Sequence, residues 1–267
     1  MKQQNITFIG GGNMSEALIS GLIKAGHNCE NITVVDTQPA RLEELAHHFK
    51  IKTSTDNIEA IAHAQTIVLA VKPQVIETIL NLIGNRIPEN ATIVSIAAGV
   101  GVQAMHRFAK REHLSFVRVM PNTPALVGAG MSVLFSNAEQ PHKDNAEYIL
   151  AASGETAWVE DERLLHAVTA VSGSGPAYFF LLAETMQAAG EALGLPKDLA
   201  AKLANQTAMG AGRMLSESGR GAAVLRNQVT SPGGTTQAAI DTMYECEFPT
   251  AIRRGVQAAF KRSKELG

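Results

Sequence analysis

Apolar positions follow two different rhythms along this chain, and the change falls near Asp161. Before it, short runs of branched residues alternate with segments of helical spacing. Ile6–Ile9 reads as a strand, and residues 13–25 place Met14, Ala17, Leu18, Gly21 and Leu22 on one helical face. Ile32–Val35 is a second strand, followed by a helix over 41–49 whose buried stripe is Leu42, Leu45 and Phe49. The runs 67–71 and 93–96 are apolar throughout, the pattern of strands covered on both faces. Further strands are predicted at 116–119, at 131–135 and around 157–159. Strand, helix and strand at this spacing specify a parallel sheet with right-handed crossovers.

Beyond Asp161 the pattern is helical throughout, with helices predicted over 164–171, 177–193, 197–216, 222–229, 237–245 and 250–266. Gly194-Leu195-Pro196 stops one helix and restarts the next. The alanine-rich stretches 181–193 and 199–215 can pack closely and read as buried. An α/β domain over 1–160 is therefore expected, followed without a flexible linker by an all-helical domain over 161–267.

Composition narrows the function. The 267 residues carry a net charge of -2, which offers no basic field for nucleic acid or for an anionic membrane surface. Cys29 and Cys246 are far apart in sequence, so neither a disulfide framework nor a cysteine zinc site is expected, and a reducing compartment fits. The apolar run after the N-terminus is too short for a signal-peptide core. No stretch approaches the roughly 20 apolar residues that span a bilayer, so a cytoplasmic chain without a membrane partner is expected. The histidines show no metal-ligand spacing, since His47 and His48 are adjacent and no HExxH occurs; no metal is expected. Ser174 also fails the GxSxG pattern of a serine hydrolase, because Ser172 stands two positions before it.

FIGGGNMSEAL places Gly10, Gly12 and Ser15 in the G-x-G-x-x-G/A frame, after a strand and at a helix start. Gly10 permits the tight turn, Gly12 lets backbone approach a pyrophosphate, and the helix N-terminus offers free N–H groups. Asp36 ends the second strand 26 residues after Gly10, where a carboxylate can accept the ribose hydroxyls. A dinucleotide is the expected ligand. Lys72-Pro73 and Ala97-Ala98-Gly99 follow two further strands, and ligands of open parallel sheets sit outside such strand ends. Lys72 taken alone is equally a solvated lysine ahead of a proline-started helix.

In the helical half, SGSGPAYFF opens a helix with Pro176 in the first turn and Ser172 or Ser174 able to cap. VTSPGGTTQAAI then interrupts the helices and delivers Thr235 and Thr236 to the start of another. This stretch is either an ordinary inter-helix turn or a nest of N–H groups and hydroxyls for a small carboxylate.

In this order along the chain, IGGGNM, AVKP, SIAAGV, RVMPNTPALVGAG, VSGSGPAY and VTSPGGTT closely resemble the pyrroline-5-carboxylate reductase family. The likeness spans nearly the whole chain, and the SPGGTT block is highly specific. It implies a Rossmann-like domain followed by a helical domain for substrate binding and dimerisation. The implied reaction is reduction of the cyclic imine 1-pyrroline-5-carboxylate to L-proline with NADH or NADPH, the last step of proline biosynthesis. The implied partner is a second copy of the chain, as a homodimer or a decamer of dimers. On the cofactor side the resemblance places the turn Gly10, Gly11, Gly12, Asn13 and Met14, with Asp36 and Asn57. It adds Ala70, Val71, Lys72 and Pro73, then Ala97, Ala98 and Gly99, with Pro121, Asn122 and Thr123 along the cleft.

For the substrate, the resemblance assigns Ser172, Ser174 and Gly175, and gives the carboxylate to backbone N–H groups of Ser231, Gly233, Gly234 and Thr235. Thr236 is the implied catalytic residue, its hydroxyl aimed at the ring nitrogen. The loop holds no His, Lys or carboxylate, so Thr236 is compatible with polarising an iminium or with relaying a proton from water. Ser15 at the third motif position, and the absence of a common proline before the loop, depart from the family pattern. Cofactor choice is divided: Asp36 would repel a 2′-phosphate and favours NADH, whereas many relatives work with NADPH.

Two rivals have other chemistry. A hydroxyacid dehydrogenase of the same plan carries a lysine on the first long helix of its helical domain, and residues 172–194 contain none. A non-catalytic dinucleotide sensor needs no substrate loop, and this chain has one.

Overall fold

The computed structural model describes residues 3–266. Its first part alternates β1 (Ile6–Ile9), α1 (Asn13–Lys24), β2 (Ile32–Val35), α2 (Pro39–Phe49), β3 (Lys52–Ser54), α3 (Asn57–Ile61) and β4 (Thr66–Leu69). It continues with α4 (Pro73–Ile83), β5 (Thr92–Ser95), α5 (Val102–Ala109), β6 (Ser115–Met120), β7 (Gly130–Phe135), α6 (Gln140–Ala151) and β8 (Gly154–Trp158). Pro39 and Pro73 start α2 and α4 in the position where a missing N–H costs nothing. Lys50 and Lys110 close α2 and α5 in the left-handed conformation, at φ 57° and 55°.

The strands form one sheet in the order β3-β2-β1-β4-β5-β6-β7-β8. Neighbouring residues along a strand feed opposite faces. Ile67 and Phe116 pack under α4 and α5 with Leu80 and Met105, whereas Val68 and Val117 pack with Leu18, Leu22 and Ile149 of α1 and α6. Two sealed cores result. One expectation needs correcting: β7 runs antiparallel to β6, and β8 follows β7. The connection from Met120 to Gly130 is too short for a crossover helix, so the chain reverses instead.

The helical part comprises α7 (Leu164–Val168), a π-helical turn at Thr169–Gly173, α8 (Gly175–Ala192), α9 (Lys197–Glu217), α10 (Ala222–Gln228), α11 (Thr235–Glu245) and α12 (Phe248–Leu266). Two compact units are present: one runs to Gly173 and resumes at Phe260, and the other is Ser174–Ala259. In the second unit α8 and α9 form a hairpin through Gly194, at φ 95°, with the backbone of Gly190 drawn against Ala200.

Within a single chain the alanine-rich stretches are not buried. Phe180 is 67% exposed, Leu181 62% and Met209 52%, and among its described hydrophobic residues only Ala200, Ala204 and Leu225 are buried. A two-helix hairpin with its flanking helices encloses too little volume to cover both faces of α8. The membrane expectation also changes. Leu164–Ala192 is one helical run, long and apolar enough by length and composition to cross a bilayer, because the π-helical turn joins α7 to α8 where a break was expected. Nor does Ser174 cap α8: it stands at the N-cap without a side-chain hydrogen bond.

A polar layer lies at the amino ends of the strands. Thr66 donates to Gln4 at 2.6 Å, and Thr92 meets His142 at 2.8 Å and accepts from Asn145. Beside it, buried His27 shares a 3.0 Å hydrogen bond with Tyr148 through Nδ1, and its Nε2 has no partner. Burial lowers the His27 pKa, against a smaller raising effect from the Gln4 backbone. His166, paired with Ser263 at 3.0 Å, is lowered by burial and by the charges of Arg118 and Lys264.

Both histidines have lowered values in the folded state, so the unfolded chain binds more protons just below the ordinary histidine value of about 6.5. Stability is therefore expected to fall as pH drops from 7.5 through about 6.5 towards the depressed native values. Chemical denaturation at fixed protein concentration checks this. His27→Gln and His166→Gln should each flatten the dependence, and an unaltered slope in both would exclude these groups as its source.

Candidate active site

β1 ends against its neighbour β4 so closely that the turn after it requires glycine. A Cβ on Gly10 would sit 2.6 Å from the Ala70 carbonyl oxygen, and Gly10 adopts φ 103°. Ser15 reaches back to the Gly10 carbonyl at 2.6 Å from full burial, which explains how serine serves at the third motif position. The Gly11 peptide is gripped at both ends. Its N–H donates to Asp36 Oδ2 at 2.7 Å, and its carbonyl accepts from Arg41 Nε at 2.7 Å. Asp36 Oδ1 accepts from the Gln38 N–H at 3.0 Å, so this carboxylate already braces two backbone groups. Its remaining lone pairs leave capacity for ribose hydroxyls.

Gly12 is the N-cap of α1, without a side-chain cap, and a Cβ there would meet nothing within 4 Å. Asn13 and Met14 thus open a helix whose first N–H groups have no side-chain cap, the arrangement that binds phosphate. Asn57, the first residue of α3, buries its Oδ1 without any hydrogen-bond partner. An orphaned buried acceptor carries a penalty that a donor from a ligand would remove. These features fit a dinucleotide.

The remaining positions expected on the cofactor side line up along one edge of the sheet. Ile9, Val35, Ser54, Leu69, Ser95 and Arg118 stand in register across β1 to β6, and the chain leaves each of these strands in one direction. Ala70 and Val71 follow β4 and are half-buried, Lys72 is exposed, and Pro73 starts α4. Ala97 is buried, Ala98 exposed, and Gly99 takes φ 81° after β5. Pro121, Asn122 and Thr123 follow β6. Asn122 accepts from the Met131 N–H at 2.8 Å and donates to the carbonyl and hydroxyl of Ser172, each at 3.2 Å. One expected cofactor residue and one expected substrate residue are thereby tied together.

In the second unit, Ser174 and Gly175 begin α8, with Gly175 buried. Pro232 and Gly233 occupy the centre of a turn closed by Gly234 N–H to Ser231 carbonyl at 3.0 Å, with Gly233 at φ 69°. Proline followed by a positive-φ glycine is the composition of a type II turn. Gly234 then caps α11 with no side-chain hydrogen bond, and Thr235 and Thr236 fill its first turn. Thr235 is exposed and Thr236 half-buried.

Comparison with known proteins decides the family. Pyrroline-5-carboxylate reductase of Pseudomonas aeruginosa is 41% identical over 268 residues, covering 100% of this chain and 98% of its own. The chain belongs to the pyrroline-5-carboxylate reductase family. Residues 162–266 match the family described as pyrroline-5-carboxylate reductase dimerisation, and residues 5–99 that described as NADP oxidoreductase, coenzyme F420-dependent. Among solved structures, the Coxiella burnetii pyrroline-5-carboxylate reductase superposes with a TM-score of 0.95 at 37% identity, covering 100% of this chain and 99% of that one. The Plasmodium falciparum pyrroline carboxylate reductase with NADP bound gives 0.87 at 28% identity, with the same coverage.

Sequence patterns missed two features of this reductase. Arg41 stands at the start of the helix predicted over 41–49 with no local sign of this role, yet its side chain folds back onto the glycine turn. Glu162, near the start of the matched dimerisation segment, accepts from the Val102 N–H and from Arg118, both at 2.9 Å. It thus anchors the far end of the loop bearing Ala97, Ala98 and Gly99, and it neutralises a guanidinium with 9% side-chain exposure. Neither link has a local signature, since the partners lie 44 and 60 residues away.

Removing Glu162 as Glu162→Ala leaves Arg118 buried and unpaired, and should cost about 3 kcal/mol of stability. It should also raise the KM for cofactor about fivefold by loosening the loop. Glu162→Gln keeps the acceptor for Val102 and should restore most of the KM but less of the stability. Equal KM values for all three proteins would detach Glu162 from the loop's function.

Proposed function

We propose that this chain reduces 1-pyrroline-5-carboxylate to L-proline with NAD(P)H, the last step of proline biosynthesis, with residues 1–160 serving the dinucleotide and 161–267 the substrate and a second subunit. The observation that carries the substrate side is the turn at 231–234, where Gly233 at φ 69° presents the uncapped first turn of α11. A small carboxylate suits those free N–H groups and the positive end of the helix. When bound, NAD(P)H supplies the hydride for the imine carbon. Gly12, Asn13 and Met14 would hold its pyrophosphate and Asp36 its ribose, and Asn57 would accept from one of its donors. The loop at 97–99 gives small, close backbone for the nicotinamide.

The chain's own contribution is orientation. Backbone N–H groups of the SPGGTT turn fix the carboxylate, and the Thr236 hydroxyl stands by the ring nitrogen. A substrate that arrives as iminium already carries its proton, so polarisation and alignment suffice. No buried carboxylic acid or imidazole in this turn competes for that role.

The uncovered faces of α8 and α9 support an obligate homodimer of cytoplasmic enzyme, able to assemble further into a decamer of dimers. Sedimentation at micromolar concentration should give a dimer or larger. A stable and active monomer would contradict this.

Cofactor oxidation on adding the pyrroline substrate to purified protein tests the reaction itself, and its absence with both cofactors would refute it. Thr236→Ala should lower turnover by about 10- to 1,000-fold, as for one lost transition-state hydrogen bond, while Thr236→Ser retains much of it. Undiminished turnover in the alanine variant removes Thr236 from the mechanism.

A further inference from the structure

The grip on Gly11 comes with an unusual charge arrangement. Arg41 spends Nε on the Gly11 carbonyl, donates Nη2 to Glu16 at 2.5 Å and Nη1 to Glu44 at 2.8 Å. Burial works against its charge, and the two glutamates outweigh that and raise its pKa. One guanidinium therefore serves two carboxylates, and the Asp36 carboxylate lies on the other side of the same peptide. Three acids around one base leave the group anionic. A cavity of about 630 Å³ opens beside it, lined by Glu16, Arg41, Glu43, Glu44, His47 and His48.

Glu16 differs from Glu44 in setting. It belongs to the first turn of α1, directly behind the glycine turn, and is 36% exposed, whereas Glu44 is an i,i+3 partner at 64%. The Glu16 pair joins α1 to α2 across 25 residues, and solvent screens it less.

We propose that Glu16 is a specificity-determining residue, whose carboxylate occupies Arg41 and so keeps the ribose end of the cofactor site selective for NADH over NADPH. A ribose 2′-phosphate brings close to two negative charges and needs a cation with free donors. Arg41 is the cation on the glycine turn, and three of its five N–H donors, one on each nitrogen, are committed to the Gly11 carbonyl, Glu16 and Glu44. A phosphate reaching the two that remain would stand against the Glu16 and Glu44 carboxylates. NADH makes no such demand. The proposal rests on the dinucleotide reading above. Asp36 is a poor probe of it, because its removal would also release the Gly11 N–H.

The test is binding rather than turnover. Fluorescence titration of the full-length protein with NADH and with NADPH gives four dissociation constants for wild type and Glu16→Gln. Glutamine still accepts from Arg41 but carries no charge. The NADPH constant should fall about tenfold at 50 mM salt and by clearly less at 500 mM, while the NADH constant stays within about twofold. Glu44→Gln should act in the same direction by about twofold, and it keeps the test decisive if Glu16→Gln does not fold. Equal changes for both cofactors, or a preference for NADPH that neither variant alters, would overturn the proposal. If the wild type binds neither cofactor, the dinucleotide reading itself fails, which is a separate result.

Discussion

The Gly11 peptide is held between two charges, with the Asp36 carboxylate on its N–H and the Arg41 guanidinium on its carbonyl. Three successive glycines would otherwise form the most mobile segment of the chain, since each gains many conformations when released. The grip converts that mobility into a turn of one shape, and α1 then starts at Gly12 with no side-chain cap on its first N–H groups. Gly10 contributes from the other side, where the Ala70 carbonyl fills the volume of any side chain. A strand end, a helix start and a neighbouring strand are thus locked to one another through one peptide group.

The two halves of the chain meet the demand for burial differently. The sheet carries its helices on both faces and closes two cores with its own residues. Ser174–Ala259 closes none, and its long helices keep Phe179, Phe180, Leu181 and Met209 in the open. The family match over 162–266, described as dimerisation, falls on this surface. The same exposed run satisfies the length and composition of a membrane span, yet an apolar helix face and a bilayer segment look alike until a partner is considered.

Much of this was legible in the residues. Apolar runs of branched side chains located β1, β2, β4 and β5, because strands covered on both faces are mostly apolar throughout. Gly10, Gly12 and Asp36 were legible because their spacing reflects a strand-turn-helix unit of fixed geometry. The short edge strand β3 and helix α3 were not, having too few residues to show a period. The reversal of β7 was hidden as well, since a strand covered on both faces shows the same apolar run in either direction and only the connection length separates them. Arg41 and Glu162 escaped for another reason: their partners are distant in sequence, and no local pattern encodes a long side chain folding back. In the SPGGTT turn the composition announced the conformation, because Pro232 and Gly233 each tolerate what the turn requires.

The absence of a private core in Ser174–Ala259 also orders events in time. The α/β part needs only residues that precede Gly173, apart from the closing turns of α12, so most of its structure can form while the rest of the chain is still being made. The α8–α9 hairpin can follow quickly, since its contacts are local. Covering that surface with a second chain, as the proposed homodimer does, is a second-order step whose rate rises with concentration. Until that meeting each newly made molecule carries an apolar surface in water, so a low rate of synthesis lengthens the exposed interval rather than merely reducing yield.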